Sequence, residues 1–338
     1  MTTAMNVGAD GLLPLPWLAA PLRQALAQPG HALLLVAAPG VGALEFQLTL
    51  AQAWLCEAAV DDRPCGQCTS CRLFQARTHP DLKVLLPETL RVELGWSEAG
   101  EDSEGGKKKP SKQIRIDEVR GAIDWIVKTT SRGRAKVLVV HPAEALNPVG
   151  ANALLKTLEE PPAGARLLLS CSDAEHLLPT VRSRCQRLGL PAPAPADAAA
   201  WLEGQGVKDG IDLLAACAGR PLDALNLHRA GVNAAAWAAL PRALAQGHAG
   251  AWAGWPLPRT IDTLQKLCHD LLAAAAGAAP RYFPAGSLPA ARGGIAPLLA
   301  WAEELNRVAR QAEHPWSEAL LVDSLVTRGR QALATLGR

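Results

Sequence analysis

The stretch "VAAPGVGALE", Val36 to Glu45, decides how the rest of the chain is read. An aliphatic run ends in Pro39, Gly40, Val41 and Gly42, and a segment that reads as a helix follows. This is the punctuation of a phosphate-binding loop, G-x-x-x-x-G-K-[ST]. In such a loop backbone N–H groups cradle phosphates, the lysine reaches the outer ones and the hydroxyl holds magnesium. Laid on that pattern, Ala37 takes the first glycine, Gly42 the second, Ala43 the lysine and Leu44 the hydroxyl. Each lost charge-assisted contact to a polyanion is worth about 1.5–3 kcal/mol. Gly40, Gly42, Ala43 and Leu44 therefore form a degenerate loop, expected to hold no ATP. A second check agrees. ATPases of this layout place an acidic pair at the end of a later aliphatic strand to hold magnesium and orient water, whereas "KVLVV" here runs into His141 and Pro142.

Outward from the loop, aliphatic runs alternate with amphipathic stretches: "HALLLVAA", then 43–55; "DLKVLLP", then 116–129; "AKVLVV", then 148–159; "ARLLLSC", "HLLPTVRSR" and "QRLGL". Such alternation predicts a P-loop-type α/β domain over 1–191, a parallel sheet with helices on both faces. Near 120, Ile116, Val119, Ile123, Ile126 and Val127 share one stripe, with Asp117, Glu118, Arg120 and Lys128 elsewhere, so that helix packs by one face. Residues 95–112 are polar and Gly-rich, acidic then basic, and read as a disordered surface loop; a DNA contact through Lys107, Lys108 and Lys109 is the weaker alternative. "PAPAPAD" after 190 reads as a stiff joint, with Asp197 as a helix N-cap. A small helical domain over 192–232 and a larger helical domain over 233–338 are expected beyond it.

The length of 338 residues calls for more than one core. A formal charge of +2 supplies no strong field, so any nucleic-acid contact must be local. No run is long and apolar enough to cross a bilayer, and no basic segment leads into an apolar one at the start, so a cytoplasmic protein without a membrane partner is expected. Of the 10 tryptophans, Trp201, Trp237, Trp252, Trp255, Trp301 and Trp316 lie in helical stretches rich in Ala and Leu, where packing explains them.

Four of the 8 cysteines are clustered: Cys56, Cys65, Cys68 and Cys71, spaced C-x8-C-x2-C-x2-C. Two-residue spacings let successive thiolates turn toward one ion, and four sulfurs close a tetrahedral shell of the kind zinc accepts in a structural site. Disulfides and an iron–sulfur cluster are the alternatives. His79 reads as a loop histidine before Pro80, because four thiolates already suffice. Cys171, Cys185, Cys217 and Cys268 stand singly among apolar neighbours and read as core thiols.

"ANALLKTLEEPP" (151–162), "LPTVRSRC" (178–185), the cysteines just after the P-loop helix and "GRPLDAL" (219–225) resemble the clamp-loader branch of the AAA+ proteins. With its degenerate loop, the chain is most similar to the delta-prime type of subunit in bacterial DNA polymerase III. The resemblance implies an AAA+ α/β domain, a small helical domain and a helical collar through which five subunits form an open ring that places a sliding clamp on primer–template DNA. It implies tau/gamma-type ATPase subunits and a delta subunit as partners. It also implies that Arg184 of "SRC" is an arginine finger offered to the ATP of a neighbour. The segment that in active relatives supplies an arginine to the subunit's own nucleotide has Leu222 at that position, a further departure. Asn152, Lys156, Glu159 and Glu160 are polar candidates for a subunit interface. An active ATPase of the same family and a zinc-dependent nucleic-acid-binding module are the competing functions; Ala43, Leu44, His141 and Leu222 count against the first, and sparse basic and aromatic clustering against the second.

Overall fold

The computed structural model describes residues 5–28, 30–96, 110–311 and 317–334, which fall into two compact units, Met1–Pro193 and Ala194–Arg338. The first contains strands β1 (Ala32–Ala37), β2 (Leu82–Leu85), β3 (Lys136–Val140), β4 (Ala165–Cys171) and β5 (Gln186–Leu190). Its helices are α1 (Ala19–Ala27), α2 (Ala43–Leu55), α3 (Thr69–Gln75), α4 (Glu88–Glu93), α5 (Ile116–Ile126), α6 (Pro148–Glu159) and α7 (Pro179–Arg182). The strands form one parallel sheet in the order β2-β3-β4-β1-β5. β3 is buried along its whole length, as expected of a strand covered on both faces.

Alternate residues serve the two faces. Leu34, Leu138, Val140, Leu167 and Leu169 join one core with Val119 and Ile126 of α5 and Leu154 and Leu158 of α6. On α2, which contacts β1, β3 and β4, the buried Gln47 donates Nε2 to the carbonyls of Val140 (3.3 Å) and Leu168 (3.0 Å). The α5 stripe is as expected except at its end: the helix stops at Ile126, and Val127 is 61% exposed. α6 starts where Asn147 Oδ1 accepts from Gly150 N (2.8 Å) and Pro148 takes the first helical position. The segment 97–109, which contains Lys107–Lys109 and most of the 95–112 loop, lies outside the described residues, as does Trp316.

The second unit is helical among the described residues: α8 (Pro195–Gly204), α9 (Gly210–Ala216), α10 (Pro221–Arg229), α11 (Ala234–Gln246), α12 (Leu257–Ala275), α13 (Ile295–Arg310) and α14 (Glu318–Leu333). α8 begins at Pro195, with Ala194 as its cap, so Asp197 lies within the first turn and is not the N-cap. One contiguous apolar core runs from Ala198 to Leu333 and includes Trp237, Trp252 and Trp301. Gly329 lets α14 approach closely: a Cβ there would lie 2.6 Å from the Trp301 ring and 2.8 Å from Leu244. Cys171, Cys185, Cys217 and Cys268 are all buried, and burial pushes their thiols up to about 11, 12, 11 and 12. No helix among the described residues is long and apolar enough to cross a membrane.

Candidate functional site

Loop 38–42 leaves β1 and enters α2 through Gly42, whose φ of 101° is one that residues with a Cβ rarely adopt. Space is a second reason for glycine there, since a Cβ would lie 2.2 Å from Leu15 Cδ1. Leu15 is fully buried, and Trp17 Nε1 donates to the Val41 carbonyl at 2.8 Å. The segment before α1 is thus fastened onto the loop, and a leucine side chain rests on the glycine that opens the helix. Glu45, half-buried in the first turn of α2, has an oxygen 3.7 Å from that same Cβ point. Burial pushes its carboxyl up, partly offset by the hydrogen bond from its own backbone N–H. Ala43 and the buried Leu44 add no polar group. Leu15, Trp17 and Glu45 were not singled out by the sequence pattern. Of the three only Glu45 lies within the motif window, and an acid in a first helical turn is ordinary.

At the carboxyl end of β3, His141 Nδ1 and Ser170 Oγ are 2.6 Å apart. Burial pushes the imidazole down to about 4, against a smaller opposing pull from Glu144. Sequence reading missed Glu144, which comes after the His141–Pro142 turn and folds back onto the end of β4, where its Oε1 accepts from Ser172 Oγ (2.8 Å) and from the N–H groups of Ser172 and Asp173. An acid is therefore present near the strand ends, tied into the loop after β4. The buried His141 also affects stability. Above its ordinary 6.5 both folded and unfolded chains hold it neutral; between 6.5 and about 4 the unfolded chain takes a proton that the folded chain refuses, so stability falls with pH. Between pH 7 and 4.5 the wild-type chain should lose about 2–3 kcal/mol more than His141→Gln, read from urea midpoints. Equal losses would show that the imidazole charges freely in the fold.

Arg184 lies between α7 and β5. Its Nε donates to Glu159 Oε1 at 2.6 Å and its Nη1 to the Thr180 carbonyl at 2.9 Å, while Nη2 pairs with Glu159 as well. The side chain remains 32% exposed, so the guanidinium is aimed without being enclosed. Glu159, at the end of the "LLKTLEE" helix, is its anchor; a pair this open adds little stability, 0–1 kcal/mol at most by order of magnitude. The sheet register fixes where this arginine stands. Gln186 pairs with Leu33 at the start of β1, whereas loop 38–42 follows Ala37 at its end. Four residues of strand, about 13 Å, separate the two levels. Arg184 and the loop therefore occupy opposite rims of one sheet. In the second unit, Leu222 is half-buried in the first turn of α10, and Arg220 is tied to Asp223 (2.9 Å) and to the Cys217 carbonyl (3.0 Å).

The ligand atoms of Cys56, Cys65, Cys68 and Cys71 all lie within 4.8 Å of one another. Cys56 Sγ is 3.6 Å from Cys65 Sγ and 3.9 Å from Cys68 Sγ. Sulfurs at about 2.3 Å around a tetrahedral ion would be about 3.8 Å apart, so the four thiols fit one such ion. N–H groups of Cys65, Cys68 and Cys71 each donate to a preceding cysteine sulfur at 3.4 Å, the orientation that supports thiolates. Burial raises Cys56 and Cys71; at Cys65 it is outweighed by N–H donors from Gln67 and Cys68 and by the Cys56 and Cys68 thiols, which bring it to about 7. His79 stands apart, its Nε2 2.6 Å from Ser70 Oγ and its Nδ1 accepting from Asp81 N at 3.1 Å. Because Nδ1 accepts, Nε2 carries the proton and donates to Ser70. That tautomer makes the pair structural, since it cannot deprotonate the serine.

Comparison with known proteins places these features. The DNA polymerase III subunit delta' of Pseudomonas aeruginosa is 37% identical over 215 residues, covering 61% of this chain and 58% of that protein. The DNA polymerase III subunit delta' of Escherichia coli K12 is 37% identical over 200 residues, covering 58% of this chain and 54% of that one. The chain thus spans little more than half the length of these relatives. The DNA polymerase III subunit tau of E. coli is 30% identical over 162 residues, 48% of this chain and 22% of that one. A solved DNA polymerase III gamma subunit-related protein from Thermotoga maritima aligns over 94% of this chain and all of its own, at 16% identity and a TM-score of 0.45. The profile described as "DNA polymerase III, delta subunit" matches residues 21–194, just over half of the chain and almost all of the α/β unit, and the chain belongs to that family.

Proposed function

We propose that this chain is a non-hydrolysing, delta-prime-type subunit of a DNA polymerase III clamp loader, helping to place a sliding clamp on primer–template DNA. One observation carries the reading: Arg184 stands on the rim of the sheet opposite loop 38–42, anchored by Glu159 and open to solvent. An arginine so placed cannot serve a nucleotide at its own loop, but it can meet the γ-phosphate of a nucleotide brought by a neighbour, where a planar permanent cation binds bidentately. The loop supports the same division of labour, with Leu15 against Gly42 and no lysine or hydroxyl at 43 and 44. Names of the relatives, delta' and tau, favour ATPase subunits of the tau/gamma type, with a delta subunit, as the partners. In this reading Cys56, Cys65, Cys68 and Cys71 hold a structural zinc, which ties a loop and leaves no coordination position for catalysis. Residues 192–232 act as the small helical domain and 233–338 as the collar.

The test is a titration of the isolated chain with magnesium-ATP by calorimetry, followed by reconstitution with the ATPase and delta subunits. The expected result is no saturable heat up to millimolar ATP, a limit of about −4 kcal/mol, together with clamp loading that requires this chain. Binding tighter than about 10 μM, or loading that proceeds equally without the chain, would overturn the assignment.

A further inference from the structure

The chain ahead of α1 is held at two separate places. Downstream, Leu15 rests on Gly42 and Trp17 donates to the Val41 carbonyl. Upstream, Val7 is fully buried: its N–H donates to Gln52 Oε1 of α2 (2.9 Å), and its carbonyl accepts from Gln52 Nε2 (2.9 Å) and from Gln75 Nε2 of α3 (3.0 Å). Gln75 Nε2 also donates to the Gly66 carbonyl at 2.7 Å, and Gln67 Nε2 to that of Ala9 at 3.0 Å. Val7–Ala9 is therefore gripped between α2 and the turn that carries Cys65 and Cys68.

Gly66 shows how close that seating is. A Cβ there would overlap the Gly8 carbonyl oxygen, a backbone atom that cannot swing aside, and its φ of 71° is a second reason for glycine. Residues 63–68 lie between the short 3-10 turn at Val60–Asp62 and α3, in neither helix nor strand. The place of Gly66 and Gln67 thus depends on what holds the cysteines on either side of them. On the strap itself, the Gly8 carbonyl that meets Gly66 also accepts from Gly11 N at 3.1 Å, and this turn sets the direction in which residues 12–14 lead to Leu15.

We propose that the cysteine module is the latch of the strap over loop 38–42: Gly66, Gln67 and Gln75 hold Val7–Ala9, that grip keeps Leu15 seated on Gly42, and loss of the metal releases both. The inference rests on the assignment of a metal to the four cysteines. It gives the module a task beyond ordering its own loop, that of keeping the degenerate site shut.

Hydrogen exchange read by mass spectrometry on the full-length chain tests it, with a reductant present and metal content measured on the same samples. On chelation, amides of 6–18 and 38–44 should exchange at least about tenfold faster, while those of β3 stay unchanged. Gln75→Ala leaves every cysteine in place; its metal-loaded form should accelerate the same two segments by about threefold or more at unchanged metal content. Acceleration confined to 56–75 would overturn the proposal and leave the metal reading standing. A chain that holds no metal as purified would overturn both. Should chelation loosen β3 as well, the metal-loaded Gln75→Ala comparison decides, and unchanged exchange of 6–18 or 38–44 in that variant would sink the latch.

Discussion

Replacing Arg184 by alanine should leave the reconstituted complex assembled and lower ATP turnover at the neighbouring ATPase site by about 10³-fold or more, the scale on which an arginine supplied in trans acts. The expectation rests on geometry. Arg184 is 32% exposed and held by Glu159, the Thr180 carbonyl and the Ser183 hydroxyl (3.2 Å), so its removal takes away a presented charge and disturbs no core. Stability should change by less than about 1 kcal/mol, as for other open ion pairs. Lysine at 184 should not restore turnover, because a point charge lacks the planar fork. Arg182, two residues earlier and paired with Glu175, is the control: a complex carrying its alanine variant should turn over ATP at the unaltered rate. Unchanged turnover in Arg184→Ala, with incorporation verified by gel filtration, would take the residue out of the chemistry.

The second large effect is expected at the cysteines. Chain purified without chelator should carry about one zinc, and Cys68→Ser should carry none. Apparent binding free energies of structural zinc reach about 10–16 kcal/mol in small peptides, and part of that energy holds residues 56–71 in place. Serine suits this test because Cys68 also caps α3, its Sγ accepting from Cys71 N at 3.4 Å. A hydroxyl still caps a helix, so the loss reports the metal and not the cap. Trypsin gives the local readout: Arg72 lies directly beside the module, next to Cys71, and should become a cleavage site when the metal is removed. A metal-free chain that resists trypsin and melts normally would end the zinc assignment.

The inner strands β1, β3 and β4 were legible because parallel strands covered on both faces are written as largely apolar runs, whereas the edge strands β2 and β5, with Lys83 and with Gln186 and Arg187, were placed by their alternation with helices. α2 and α6 match the expected 43–55 and 148–159, since both have a clear start: Gly42 for one, Asn147-Pro148 for the other. End effects were less legible. Val127 fits the α5 stripe by spacing but lies one residue past the helix, and Asp197 looks like a cap although Pro195 has already opened α8. Cys56, Cys65, Cys68 and Cys71 were visible as a cluster because their contacts are local in sequence. What could not be read were partners far along the chain: Glu159 for Arg184 and Ser170 for His141. Such pairings depend on crossovers between strands, and a local pattern carries no record of them.

The packing of Leu15 on Gly42 also bears on the history open to this chain. A lysine at 43 and a threonine at 44 would restore the letters of a phosphate-gripping motif, yet Leu15 would still occupy the point where a Gly42 side chain would begin, and Glu45 would still stand beside it. Neither substitution alone gains a ligand, so selection has no intermediate step to favour. Changes at the adjacent positions 43 and 44 and at the distant Leu15 would be needed together, which makes the present state a ratchet: easy to enter by single replacements, hard to leave by them.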